Sequence, residues 1–308
     1  MIFMKIWRVV AAACALTLAL SGCASSAPSA ADGRLTVQVA FYPFQFVAER
    51  VGGDAVSVTS LTAPGTEPHD LELAPRQVAG LATADLVIFQ SGFQPAVDTA
   101  VEQAQPARVV DTASFVTMLT ATTDGGEHPA EAGTGSKDPH TWLDPTNVVT
   151  IAEHVRDALS QARPDQAAAF AANTHQLVAD LTNLDAEIKK DLTGCAITPF
   201  ITSHAAFGYF AARYGLTQVG IRGLEPDVEP SASRIAEVQQ IARDNHVTTI
   251  FFEAMVSPVV AQSVAGDLGL RTDVLDPLEG ITADSRGTDY LAVMRANANS
   301  LKVANQCS

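Results

Sequence analysis

The chain has 308 residues, 47% hydrophobic and 17% charged, which is enough to fill two compact lobes or one large one. It is too apolar for a disordered chain and shows no collagenous or short-period repeat. Its formal net charge of −15 argues against a nucleic-acid partner, because phosphate binding calls for clustered Lys and Arg; the acidity suits a cation as ligand and also serves solubility.

The first residues read as a targeting segment. Lys5 and Arg8 precede an apolar run from Val9 to Leu20 that is short for a membrane span, and Leu20-Ser21-Gly22-Cys23 follows. That tetrapeptide resembles a bacterial lipobox, which implies cleavage before Cys23 and a lipid on its thiol. Residues 1–22 are then a lipoprotein signal and 23–33 a flexible tether. Cys14 leaves with the signal, so Cys195 and Cys307 remain as an even pair in an oxidising compartment. They are expected to form a disulfide tying the last helix to the first strand of a second lobe.

Arg34 to Phe41 is a strand candidate, Pro43 to Val51 a helix ended by Gly52-Gly53, and Val56 to Leu61 a second strand leading into the turn-rich run Pro64 to His69. Helical spacing runs from Asp70 to Leu81, with Pro75 tolerable in a first turn. Asp85 to Gln90 and Arg108 to Thr112 are further strands, so the first part is an α/β lobe with a mostly parallel sheet. Residues 121–138 are polar and rich in Gly and acidic side chains, and read as an exposed loop.

From Asn147 the character is helical, first to about Gln161. A longer helix opens at Pro164, with Phe170, Leu177, Leu181, Leu184 and Ile188 on one face and a stop at Gly194. The second lobe repeats the first in outline. Strands are expected at Ile197–Thr202, Gln218–Ile221, Val247–Phe252 and Thr272–Leu275. Helices are expected at Ala205–Tyr214, Ser233–Asn245, Val259–Leu268 and Asp289–Asn305. The organisation is a first lobe at 34–163, a rigid linker helix at 164–193 and a second lobe at 194–308.

Four stretches carry metal-competent side chains after apolar strands: His69, His140, His204 and Asp276. Open α/β sheets bind ligands at the C-terminal ends of their strands. Three imidazoles and one carboxylate match the four-coordinate demand of zinc, and their wide separation in sequence requires a tertiary site with two ligands from each lobe. Glu253, at a strand end, and Glu67, beside His69, are competing carboxylates. Asp276 also has a turn-forming reading, since Asp-Pro commonly begins one. His128, His154, His175 and His246 lie in the polar loop, on helices or in a turn, and are read as surface or filler histidines.

The runs PGTEPHDLELAPRQVAGLATADLVIFQSG, DPHTWLDPTNV, FITSHAAFGYFAARYGL and LDPLEGI resemble the zinc and manganese solute-binding lipoproteins of ABC importers, cluster A-I, over essentially the whole mature chain. The resemblance implies two α/β lobes joined by a long rigid helix, with a metal between them. It implies His69 and His140 as ligands from the first lobe and His204 and Asp276 from the second. In that family the third position tends to be His in zinc importers and Glu in manganese importers, so His204 points to zinc; imidazole suits zinc on chemical grounds too. The 121–138 stretch departs from the His-rich loop of many zinc members, with His128 as its single histidine.

The expected function is therefore non-enzymatic: a monomer, anchored by lipid outside the bacterial cytoplasm, that captures Zn²⁺ and delivers it to the membrane permease of an ABC importer. The alternatives are manganese or iron(II) capture by the same fold, a zinc hydrolase, or a surface adhesin. Neither an HExxH helix nor a Gly-x-Ser-x-Gly elbow is present to favour a hydrolase.

Overall fold

The computed structural model describes residues 33–120 and 136–308. The signal segment, Cys23 with its expected lipid, nearly all of the tether, and residues 121–135 with His128 lie outside the described residues. Among the described residues, no helix is long and apolar enough to cross a membrane.

Two four-stranded parallel sheets carry the chain. The first is built from β1 (Leu35–Val39), β2 (Val56–Ser60), β3 (Leu86–Phe89) and β4 (Val109–Asp111), in the order β2-β1-β3-β4. The second uses β5 (Pro199–Thr202), β6 (Thr217–Gly220), β7 (Thr249–Phe252) and β8 (Arg271–Val274), in the order β6-β5-β7-β8. Both sheets thus share one topology. Leu86–Phe89 and Pro199–Thr202 are buried throughout, as strands covered on both faces must be.

Helices α1 (Tyr42–Gly52), α2 (Pro75–Thr83), α3 (Pro95–Ala104) and α4 (Pro145–Ala162) belong to the first half. Each has Pro in its first turn, where the missing N–H costs nothing and the fixed φ suits the helix. Pro75 explains one departure from expectation: the helix begins there and not at Asp70, because in a helix interior its ring would clash with the carbonyl four residues back. The α3 helix had no counterpart in the sequence reading.

The 25-residue α5 (Ala167–Asp191) links the two sheets. The expected stripe Phe170, Leu177, Leu181, Leu184 and Ile188 is fully buried. Its polar face is pinned to both halves: Asn173 donates to the Val51 carbonyl and Asp180 pairs with Arg50 of α1, while Asp185 holds Arg213 in α6 (Gly208–Tyr214). Glu187 and Asp191 pair with Arg295 and Lys302 of α9 (Tyr290–Ala304). Such exposed pairs contribute little each; the buried stripe supplies the stiffness.

Helices α7 (Ala232–Asp244) and α8 (Val259–Leu268) complete the second half. Ser231 caps α7 through Arg234 N, and Asp289 caps α9 through Ala292 N. A continuous apolar core runs from the first sheet through α4, α5 and α9 to Phe200, Phe207, Phe251 and Leu278; a smaller core around Ile201, Val238 and Ile250 lies in the second half. Cys195 and Cys307 are joined in a disulfide, beside backbone bonds from Ala196 and Ile197 to Gln306 and Asn305. This joins the end of α9 to the approach of β5.

Candidate metal centre

Four buried side chains converge: His69, His140, His204 and Glu279. His69 arrives on the loop after β2 and His140 on the segment entering α4. His204 follows β5 directly, and Glu279 follows β8. Glu279 Oε1 lies 3.4 Å from His69 Nε2, 3.4 Å from His140 Nε2 and 3.7 Å from His204 Nε2. The Nε2 atoms of His140 and His204 are 3.4 Å apart.

Each imidazole turns its other nitrogen to a carboxylate. His140 Nδ1 is 2.8 Å from Asp138 Oδ1, His204 Nδ1 is 2.8 Å from Glu253 Oε1, and His69 Nδ1 is 3.2 Å from Glu225 Oε2. In the neutral ring this places the proton on Nδ1 and leaves the Nε2 lone pair for the centre, the arrangement that orients ligating histidines. Asp138 also accepts from His140 N, and Glu253 from His204 N, so backbone and ring are held together. At Gly208, at the start of α6, a Cβ would lie 2.5 Å from Asp138 Oδ2; only glycine allows that approach.

The surroundings are packed and hydrogen-bonded. Gln90, at the end of β3, donates to the Pro139 carbonyl and accepts from Thr141 Oγ1. Phe93 stands edge-on to His69 with ring centroids 4.8 Å apart, and Trp142 packs beside His140 at 5.3 Å. Trp142 Nε1 donates to the Pro277 carbonyl at 2.7 Å, and Tyr290 Oη donates back to the Trp142 carbonyl at 2.7 Å. The His140 segment is thereby bonded to the loop that carries Glu279.

The charges of the four groups are strongly interdependent. Burial alone would push the His69 pKa down, but the facing carboxylates of Glu225 and Glu279 outweigh it and raise the value to about 9. His204 likewise resists the lowering effect of burial and is raised well above the ordinary imidazole value by Glu253 and Glu279. Burial would raise Glu279, yet the three imidazoles hold it well below the carboxylate range. This set of groups therefore favours positive charge at the centre, which a cation would bring. Glu279 Oε1 and His69 Nε2 are buried without a hydrogen-bond partner, which is costly unless something else occupies them.

The structure brings His69, His140 and His204 together as expected and corrects the carboxylate. Asp276 is buried, but its Oδ1 accepts from Leu278 N at 2.8 Å and its Oδ2 from Ser285 Oγ at 2.8 Å. Both oxygens are committed to folding the turn, in which Leu278 takes φ 61, and the chain then presents Glu279. Asp276 shapes the turn and Glu279 enters the centre. The signal was present in LDPLEGI: a turn-starting Asp-Pro, followed by another carboxylate three residues after the aspartate.

Glu253 is also not among the four; its Oε1 is the orienting partner of His204. Glu67 is not among them either. Its Oε1 accepts from His69 N, and burial with the nearby Glu279 charge raises its pKa to about 7. The expected exposed loop ends earlier than 138, since Asp138 is buried. Asp138 and Glu225 were not foreseen as histidine partners.

The family described as zinc-uptake complex component A, periplasmic, matches residues 37–304. The chain belongs to this family. Among curated relatives, the zinc-binding lipoprotein AdcA of Streptococcus pneumoniae is 34% identical over 97% of this chain and 60% of its own length. The chain therefore spans about three-fifths of that relative. The high-affinity zinc uptake system protein ZnuA of Bacillus subtilis is 32% identical over 95% of both chains. The crystal structure of the Zn(II)-bound ZnuA-like domain of Streptococcus pneumoniae AdcA superposes with a TM-score of 0.75 at 32% identity, over 89% of this chain and 99% of that one. This member of the zinc-uptake family thus shares its two-sheet fold with a domain that was crystallised with zinc. The family is one of uptake components, not of enzymes.

Proposed function

We propose that the chain captures Zn²⁺ outside the cytoplasm and hands it to the permease of an ABC importer, with the ion held by Nε2 of His69, His140 and His204 and by the Glu279 carboxylate. The observation that carries this reading is the spacing of the donors. A tetrahedral ion with arms of about 2.0–2.1 Å needs its ligand atoms roughly 3.3 Å apart; four of the six separations are 3.4, 3.4, 3.4 and 3.7 Å, and all four atoms lie within 4.8 Å of one another. Calcium, with six to eight oxygens at 2.3–2.6 Å, would not fit. Three nitrogens favour zinc over manganese, and four protein ligands leave no open position for the attacking water of a hydrolase.

In this reading 34–163 and 194–308 act as lobes on either side of the ion, the 164–193 helix spaces them, and a lipid on Cys23 keeps the protein at the membrane. The names of the relatives support zinc as cargo and an importer as partner. Titration of the mature chain with Zn²⁺ and Mn²⁺ in competition is the test. Zinc is expected to win at equal free concentration; a win for Mn²⁺ would overturn the zinc assignment.

A further inference from the structure

Two of the three carboxylates that orient the histidines are buried and come from the same half of the molecule as their histidine: Asp138 for His140 and Glu253 for His204. Glu225 differs on both counts. It sits between β6 and α7, on the opposite half from His69, and its side chain is 58% exposed where Asp138 is 6% and Glu253 2%. It also lines a cavity of about 390 Å³ with Phe93, Pro139 and Leu224, and Phe93 is the ring that stands against His69. One face of Glu225 therefore meets solvent while its carboxylate reaches the outer nitrogen of a buried histidine.

We infer that Glu225 is a cross-lobe positioning residue: by accepting from His69 Nδ1 it both orients this ligand and latches the second lobe over the bound ion. This rests on the proposed function and adds to it the regulation of release. His69 is the ligand with the weakest local support, because its partner is neither adjacent in sequence nor fixed in the same sheet. The two lobes must be together for the His69–Glu225 contact to exist. When they part, His69 loses its orienting acceptor, and the ion loses a well-aimed ligand at the same moment. Opening and ligand loosening are thus one event, located at an exposed side chain that a docked partner can reach.

The test measures zinc association and chelator-driven dissociation by stopped flow for the mature wild type, Glu225→Ala, Glu225→Gln and the control Glu229→Gln, an exposed acid on the same loop. Glu225→Ala is expected to dissociate ~10–100-fold faster, the usual range for losing an orienting partner, with association close to that of Glu229→Gln. Glu225→Gln should recover most of the slow dissociation, because its amide oxygen still accepts from Nδ1–H. Unchanged dissociation in Glu225→Ala, or an equal slowing of association in the Ala and Gln variants without any effect on dissociation, would reduce Glu225 to a surface charge and overturn the latch. A wild type that fails to bind zinc would overturn the proposed function, and the latch with it.

Discussion

Replacing Glu279 by Gln removes one buried charge and keeps the shape, and its effect should depend on pH in a direction that the structure sets. In the metal-free protein Glu279 is the shared anion of three imidazoles, of which His69 and His204 have raised pKa values. A histidine raised from 6.5 to about 9 on folding contributes stability that is fully present below pH 6.5 and is lost as pH rises through about 9. Glu279→Gln removes one of the two anions that raise it and leaves Glu225 in place. At pH 6 the variant must bury imidazolium with its inner partner gone and only the outer carboxylates of Glu225 and Glu253 left, or deprotonate it against the solution. Removing one member of a buried pair costs about 3–5 kcal/mol, and at about 2–4 °C per kcal/mol for a chain of this size the melting temperature should fall by on the order of 10 °C.

At pH 9.5 most of the His69 charge is gone in the wild type as well, so the gap between the two proteins should shrink. The assay is thermal unfolding of both proteins in excess chelator at pH 6 and 9.5, followed by zinc titration at pH 7.5. Zinc affinity should fall by more than the roughly 10–100-fold typical of losing an outer partner, since a direct ligand is lost. An equal destabilisation at both pH values would refute the charge argument, and unchanged zinc affinity would remove Glu279 from the centre.

Asp276→Asn separates turn-building from ligation: it should cost about 1–3 kcal/mol in denaturant unfolding through weakened bonds to Leu278 N and Ser285 Oγ, with zinc affinity kept within about tenfold of wild type. A zinc defect as large as that of Glu279→Gln would return Asp276 to the ligand set. Zinc affinity should fall steadily as pH drops from 9 to 5.5, because protons must leave His69 and His204 before the metal binds; isothermal titration across that range showing a flat profile would contradict a three-histidine site. Replacing Cys195 and Cys307 by Ser opens a link across 112 residues and should cost about 2–5 kcal/mol of stability while leaving the zinc stoichiometry at one. A lost site would mean that the bridge supports the centre and not only the end of α9.

Apart from α3, the order of elements, the parallel sheets and the long helix with its buried stripe were legible in the chain, because each rests on local periodicity and on stops such as Gly194 and Gly269 that act within a few residues. The helix start at Pro75 was misplaced by reading apolar spacing ahead of backbone chemistry. The convergence of His69, His140 and His204 was legible for a similar reason: each follows an apolar strand and sits in a long specific run. The carboxylate was not. Asp276 and Glu279 are three residues apart in LDPLEGI, and local pattern offers the metal to either. What decides is that Asp276 spends both oxygens on Leu278 N and Ser285 Oγ, with Leu278 at positive φ turning Glu279 inward. The orienting carboxylates divide along the same line. Asp138 is two residues from its histidine, and Glu253 follows β7, the direct neighbour in the sheet of the β5 strand that delivers His204. Glu225 reaches His69 from the other half of the molecule, a contact that exists only once both lobes have folded and met. The sequence by itself determined the kinds of ligand and the strands that deliver them, through interactions that span a few residues. Which carboxylate reaches the three histidines, and which acid faces His69 from the other half, was decided by tertiary structure, because those choices depend on distances between segments that local chemistry does not constrain.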